Sequence, residues 1–313
     1  MVLPTPSPWF SVIYPPDLAV TAPPEAQPTP TPTRSLVYAP PATGPVLPLD
    51  ADALTTRLVP TLAGATRILS FGGDAGAAPN ATEWTYDTSA PRASDLQSYT
   101  AATANGWVDG GGHLVVTALR EPTSGSDGTV HPFSSARLTT AGKVVIAPGS
   151  YVEASITAPT GLGAAPGFST VAVDPAQPAW PRSVGADVFE GAGAVPTVAH
   201  SALHMMSLSN SRVDNMWGWG RPGGTTDVGT PLNAGPHLYG IYFDANSVQI
   251  YIDRRLTMKY AAAEAAATDR AWPFGGPQYL ALNVAVRTGT PATTDVPLSM
   301  IVGPIGIFSG MPF

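Results

Sequence analysis

The sequence predicts an all-β protein, a two-sheet antiparallel β-sandwich carried behind an extended proline-rich arm. Three observations lead there. Short runs of alternating apolar residues recur from about Ile68 onward, separated by Gly, Pro and Asn turns. Helical periodicity is confined to two short stretches, "DADALTTRLV" and "YAAAEAAATDR". No unit of about 20–50 residues repeats, which argues against a solenoid or a propeller.

Taken in order, residues 1–33 form the arm. Its prolines, as in "APPEAQPTPTPT", exclude helix and central strand and favour polyproline II. Trp9, Phe10 and Tyr14 give this arm apolar anchors, so it is expected to be an assembly segment that docks on other proteins. Residues 34–67 are a connector with one short helix, whose first turn Asp50 or Asp52 can cap. Residues 68–313 are the sandwich. Its strands are expected at "HLVVTAL", "GKVVIA", "YVEASIT", "HLYGIYF", "SVQIYID", "QYLALNVAV" and "LSMIVGPIGIF", with the alanine-rich helix between two of them.

Composition removes several classes of function. The net charge is −7 and only 12% of the 313 residues are charged, so there is no basic patch of the size nucleic acid or an anionic membrane demands. No segment approaches the roughly 18 continuous apolar residues of a membrane-spanning helix, and "MVLPTPSPWFSVIYPPD" lacks the pattern of a secretory leader. With no cysteine, disulfides, thiolate metal sites and Cys nucleophiles are excluded. Only Lys143 and Lys259 among the fifteen basic residues are lysines, and Ala, Gly, Pro and Thr abound, as in a GC-rich genome.

The ordered series "DLQSYT", "NGWVDGGGHLVVTA", "FSSARLTTAGK", "GSYVEASITAPTGLG", "WPRSVGADVFEGAG", "TVAHSALH", "HLYGIYFDANSVQIYID", "WPF" and "YLALNVAV" resembles glycoside hydrolase family 16, the laminarinase and agarase group. The resemblance implies a concanavalin A-like jelly roll with a sugar-binding cleft across its concave sheet. It also implies a catalytic strand of the form W-P-x-x-G-E-x-D-x-x-E. Aligned from Trp180 and Pro181, the Asp falls on Asp187 and the final Glu, the acid/base, on Glu190. The first Glu, the nucleophile, falls on Gly185.

A retaining glycosidase needs two carboxyl groups about 5–5.5 Å apart, and glycine supplies none. Asp187 and Glu190 also have opposite parity on a regular strand, so both can face a cleft only across a β-bulge. Gly185→Glu is expected to restore a carboxylate on the cleft face beside Asp187. A second departure lies in "APGFSTV", where Ala165 and Ser169 stand at the family's tryptophan positions and only Phe168 is kept.

The resemblance places Arg137, His204 and Asn283 in the cleft as donors to sugar hydroxyls, with His200 and Trp272 nearby; a structural role for each is the competing reading. Trp217 and Trp219 in "MWGWGRPGG" are the aromatic cluster that could replace the lost platform. His200 and His204 lack a third aligned ligand for zinc. No cofactor is expected, and a structural calcium ion is the one metal the resemblance admits.

Three functions remain open: a carbohydrate-binding protein on an enzyme-derived scaffold, an endo-glycanase with an altered nucleophile, and a structural spacer. A leaderless glycanase-type domain on a proline-rich arm suits a phage minor tail protein. Its expected location is the virion tail, and its expected partners are host envelope polysaccharide, neighbouring tail proteins through the arm, and further copies of itself.

Overall fold

A computed structural model describes residues 62–173, 185–209, 224–290 and 296–313, and the backbone of 213–217. The arm, the expected connector helix, the Trp180–Pro181 start of the signature and Trp219 lie outside the described residues.

The strands are, in order, β1 (Arg67–Leu69), β2 (Thr85–Tyr86), β3 (Gln97–Tyr99), β4 (Gly106–Val108), β5 (Leu114–Ala118), β6 (Thr123–Ser124), β7 (Val130–His131), β8 (Phe133–Ser135), β9 (Arg137–Thr139) and β10 (Ser150–Thr157). There follow β11 (Ala164–Ala172), β12 (Gly185–Gly191), β13 (Val198–Met206), β14 (Val213–Trp217), β15 (Thr225–Asp227), β16 (His237–Phe243), β17 (Ser247–Ile252), β18 (Arg255–Ala261), β19 (Gln278–Val286) and β20 (Leu298–Ser309). Helix α1 (Ala262–Ala267) is the alanine-rich stretch, and the Glu264 carboxylate accepts from the Ala261 amide at 2.8 Å to satisfy its open N-terminus.

Two antiparallel sheets form a jelly-roll sandwich. The back sheet runs β18-β17-β16-β10-β20-β5-β4, with β1 also on β20. The front sheet runs β14-β13-β12-β11-β19-β9-β2, with β15 on β13. Strand alternation decides what each sheet buries. In β19, Leu280, Leu282, Val284 and Val286 enter the core, while Tyr279, Ala281, Asn283 and Ala285 take the other face. They meet Val152, Ala154 and Ile156 of β10, Ile241 and Phe243 of β16 and Met300 and Val302 of β20 in one cluster. Each fully buried side chain of this size contributes about 1.5–3 kcal/mol.

Six of the seven expected strands form. "GKVVIA" does not. The Val144 amide donates to the Thr140 carbonyl, closing a turn, and only an isolated bridge from Ile146 to Gln278 joins this segment to the sheet. Alternation survives, since Val144 and Ile146 are buried and Val145 is exposed, but the turn takes the backbone donors a ladder would need. Pro304 sits inside β20 without breaking it, because pairing with β5 ends at Val302 and pairing with β1 starts at Ile305.

Candidate functional site: a bulged strand with two unlike carboxylates

The bulge that the parity of Asp187 and Glu190 requires is present. In β12, Ala186, Val188 and Phe189 all belong to the core, so two consecutive residues point inward. The register moves from Phe168↔Phe189 to Ser169↔Asp187 on one side. On the other it moves from Asp187↔Ala202 to Glu190↔His200, placing two residues opposite Ser201 alone. The buried Ser201 hydroxyl donates to the Val188 carbonyl at 2.9 Å and satisfies the group the bulge takes out of the ladder. Asp187 and Glu190 thereby reach the same outer face of the front sheet.

Gly185 opens β12 between Val171 of β11 and His204 of β13. Its φ of +153° is one that residues with a side chain rarely adopt, and a Cβ built there would lie 2.1 Å from the Thr170 carbonyl oxygen. The position therefore lacks both a carboxylate and the room for one. This corrects the expectation that Gly185→Glu simply restores a group on the cleft face, since the new side chain starts against the backbone of β11.

Asp187 and Glu190 are held by different partners. Ser169 donates to Asp187 Oδ1 at 2.8 Å, and His204 Nε2 to Oδ2 at 2.7 Å. Burial pushes the Asp187 carboxyl upward, but His204, Arg92 and the Ser169 hydroxyl outweigh it and hold the acid well below the usual carboxylate range. Glu190 Oε1 accepts from Arg287 at 2.8 Å, and Oε2 lies 3.9 Å from Arg92. Burial and the neighbouring Asp187 charge raise the Glu190 carboxyl above its ordinary value despite both arginines. One acid is fixed as a carboxylate, and the other is driven toward its protonated form.

Arg287 was not among the sequence candidates, yet it joins Glu190 to the buried Asp95, 2.8 Å from its other nitrogen. The signal was in the alternation of "NVAVR", which puts Asn283, Ala285 and Arg287 on one face.

Several expected sugar contacts take other roles. Arg137 is 1% exposed; its Nε donates to Asp87 at 2.8 Å, Nη2 reaches the Ser89 carbonyl and hydroxyl, and its guanidinium lies 4.4 Å from the Tyr99 ring centroid. A guanidinium buried in this way braces β9 and leaves no face for a glycan, so the sugar-donor role is corrected to a structural one. His204 acts on the site through Asp187. Asn283 does line the cavity, with Nδ2 donating to the Tyr99 hydroxyl at 3.3 Å. His200 Nδ1 lies 3.2 Å from the Thr225 hydroxyl, so the two histidines face different partners. Trp272 donates to the Asp244 carbonyl, packs on Phe274 and lines neither cavity beside Glu190. Trp217 ends β14, opposite Ala202. Among the described residues no cluster of three or more His, Asp or Glu side chains is placed to hold a metal ion.

Two cavities meet at Glu190. The inner one, lined by Ser169, Asp187, Asn283, Arg92 and Tyr99 among others, has a volume of about 10 Å³. That is room for about one water. The outer one, beyond Glu190, has a volume of about 290 Å³. Ala165 and Arg287 border both.

No family model matches the chain. It is 28% identical over 215 residues to a β-glucanase of Rhodothermus marinus, covering 66% of this chain and 71% of that protein. Among solved structures, the endo-β-1,3-glucanase of Pyrococcus furiosus superposes with a TM-score of 0.63 at 25% identity, over 73% of this chain and 88% of that one. A non-specific endo-β-1,3(4)-glucanase of family GH16 gives a TM-score of 0.60 at 26% identity, over 74% of this chain and 86% of that one. The chain is thus similar, in sequence and in fold, to enzymes that act on β-glucans.

Proposed function

We propose that this chain is a glycan-binding protein of glycoside hydrolase family 16 ancestry that holds a β-linked glucan without cleaving it. The observation that carries the reading is Gly185. The site has an acid at Glu190 and an ionised Asp187, but among the described residues no carboxylate on the attacking side, and the Thr170 carbonyl occupies the space through which one would enter from Gly185. Asp187 is a poor replacement, because both its oxygens already accept hydrogen bonds, from Ser169 and His204. The likeness to β-glucanases supports a glucan as the ligand.

The setting we propose is a phage tail, with the proline-rich arm docking on neighbouring tail proteins and the jelly roll meeting host envelope polysaccharide. The arm's composition and the scarcity of lysine in the sequence support it.

A second reading, an active endo-glucanase with an altered nucleophile, is favoured by one observation: the two carboxyls are pushed in opposite directions, as an acid and its ionised partner require. One experiment separates the two. The native chain is exposed to a mechanism-based glycosyl fluoride of the β-1,3-gluco series and weighed intact, while binding of laminarin is measured in parallel. Laminarin binding with no mass shift is expected, and Gly185→Glu should gain no labelling. Covalent labelling of the native chain establishes the enzyme instead.

A further inference from the structure

The Glu190–Arg287 pair is a bar laid across β11. Glu190 stands on β12 and Arg287 follows β19, with β11 hydrogen-bonded between them. Neighbouring strands are about 4.8 Å apart, so the pair bridges two such steps. It passes over Ala165 and Gly167, residues too small to obstruct it. Behind the bar, the space above Asp187 is nearly filled.

In front of the bar the groove is open and its walls are tied together. The Gly161 amide donates to the Gly193 carbonyl at 3.0 Å, the Gly193 amide to the Ala164 carbonyl at 2.9 Å, and the Arg287 amide to the Gly163 carbonyl at 2.9 Å. A Cβ on Gly193 would lie 1.9 Å from the Gly161 carbonyl oxygen, so only glycine lets these turns approach so closely. A groove built this way is formed before any ligand arrives, and its volume of about 290 Å³ stands at the lower edge of the usual range for small-ligand sites, about 300–1,000 Å³.

We propose that the ligand seats in this outer groove rather than above Asp187, and that it is a short segment of neutral glucan. The inference rests on the glycan-binding reading. Leu162, Ala192 and Ala194 offer apolar surface for the C–H faces of a sugar ring, while His200 and Glu190 offer polar atoms to its hydroxyls. Arg287 divides its guanidinium between Asp95 and Glu190, so the wall presents no unbalanced positive charge to attract an acidic sugar.

The test is calorimetric titration of the full-length chain with laminarihexaose. Ala194→Trp, which fills the outer groove from an exposed position, should weaken binding at least tenfold; Ala285→Val, which fills the inner cavity, should leave it within twofold. Amide shifts of the native chain give the same answer without any substitution, with Gly163, Gly193 and Thr288 moving on titration and Ser169 and Asp187 staying still. Weakening by Ala285→Val, an unchanged Ala194→Trp, or shifts centred on Asp187 would each place the ligand elsewhere and overturn the inference while leaving glycan binding intact. A native chain that binds neither laminarihexaose nor laminarin overturns both.

Discussion

Among the described residues, each sheet sets one glutamate against one arginine, and the two pairs are built for different ends. In the back sheet, Glu153 accepts from two nitrogens of Arg254, Nη2 at 2.8 Å and Nε at 3.0 Å, and also from the Tyr151 hydroxyl at 3.0 Å. Tyr151 in turn is packed among Tyr251, Phe308 and Phe313. In the front sheet, Glu190 receives one nitrogen of an arginine that also serves Asp95, has a second acid nearby, and borders an open groove. The Glu153 side chain is 2% exposed and that of Glu190 16%. A carboxylate that only holds a fold is saturated with donors; one left partly unsatisfied beside an open groove retains capacity for a ligand.

Three measurements press on this difference. Glu153→Ala should have the largest effect, about 3 kcal/mol by chemical denaturation, because it strands a buried Tyr151 hydroxyl and leaves Arg254 unpaired. Glu190→Ala should cost about 1 kcal/mol or less, since Arg287 keeps Asp95 and the repulsion on Asp187 is relieved; a cost equal to that of Glu153→Ala would erase the distinction. The smallest effect is a matter of pH. Asp187 is held below its unfolded value of about 3.9, so the stability it contributes is present above about pH 4 and lost as the pH falls further. Glu190 is raised, so its contribution has the opposite sign, present at low pH and lost as the pH rises through its folded value. In melting curves across pH 2–7, Asp187→Asn should therefore flatten the acid limb, and Glu190→Gln should remove the decline on the higher-pH side. An unaltered acid limb in Asp187→Asn would mean that His204 and Ser169 do not favour the ionised form.

The fold was legible because alternation is a local signal. "HLYGIYF" and "QYLALNVAV" are strands over the same residues the pattern marks, and the opposite parity of Asp187 and Glu190 announced the bulge. "GKVVIA" misled because burial alternates there just as in a strand, while the backbone donors are used in a turn. At the site, long-range partners were hidden. Arg137 meets Asp87 across 50 residues and Arg287 meets Glu190 across 97, and no local spacing says which acid a buried arginine will choose. The glycine at 185 showed a missing side chain, but not that the neighbouring strand had closed over the place it would take.

That closure bears on history as much as on chemistry. If the scaffold descends from a hydrolase, the loss at Gly185 is ratcheted: with the Thr170 carbonyl in the vacated space, a codon change back to glutamate yields a strained strand and no restored enzyme. Reversion would need β11 to withdraw in the same step. A chain of this fold with glycine in an ordinary extended backbone at that position would accept a carboxylate by one substitution, whereas here the neighbouring carbonyl bars it.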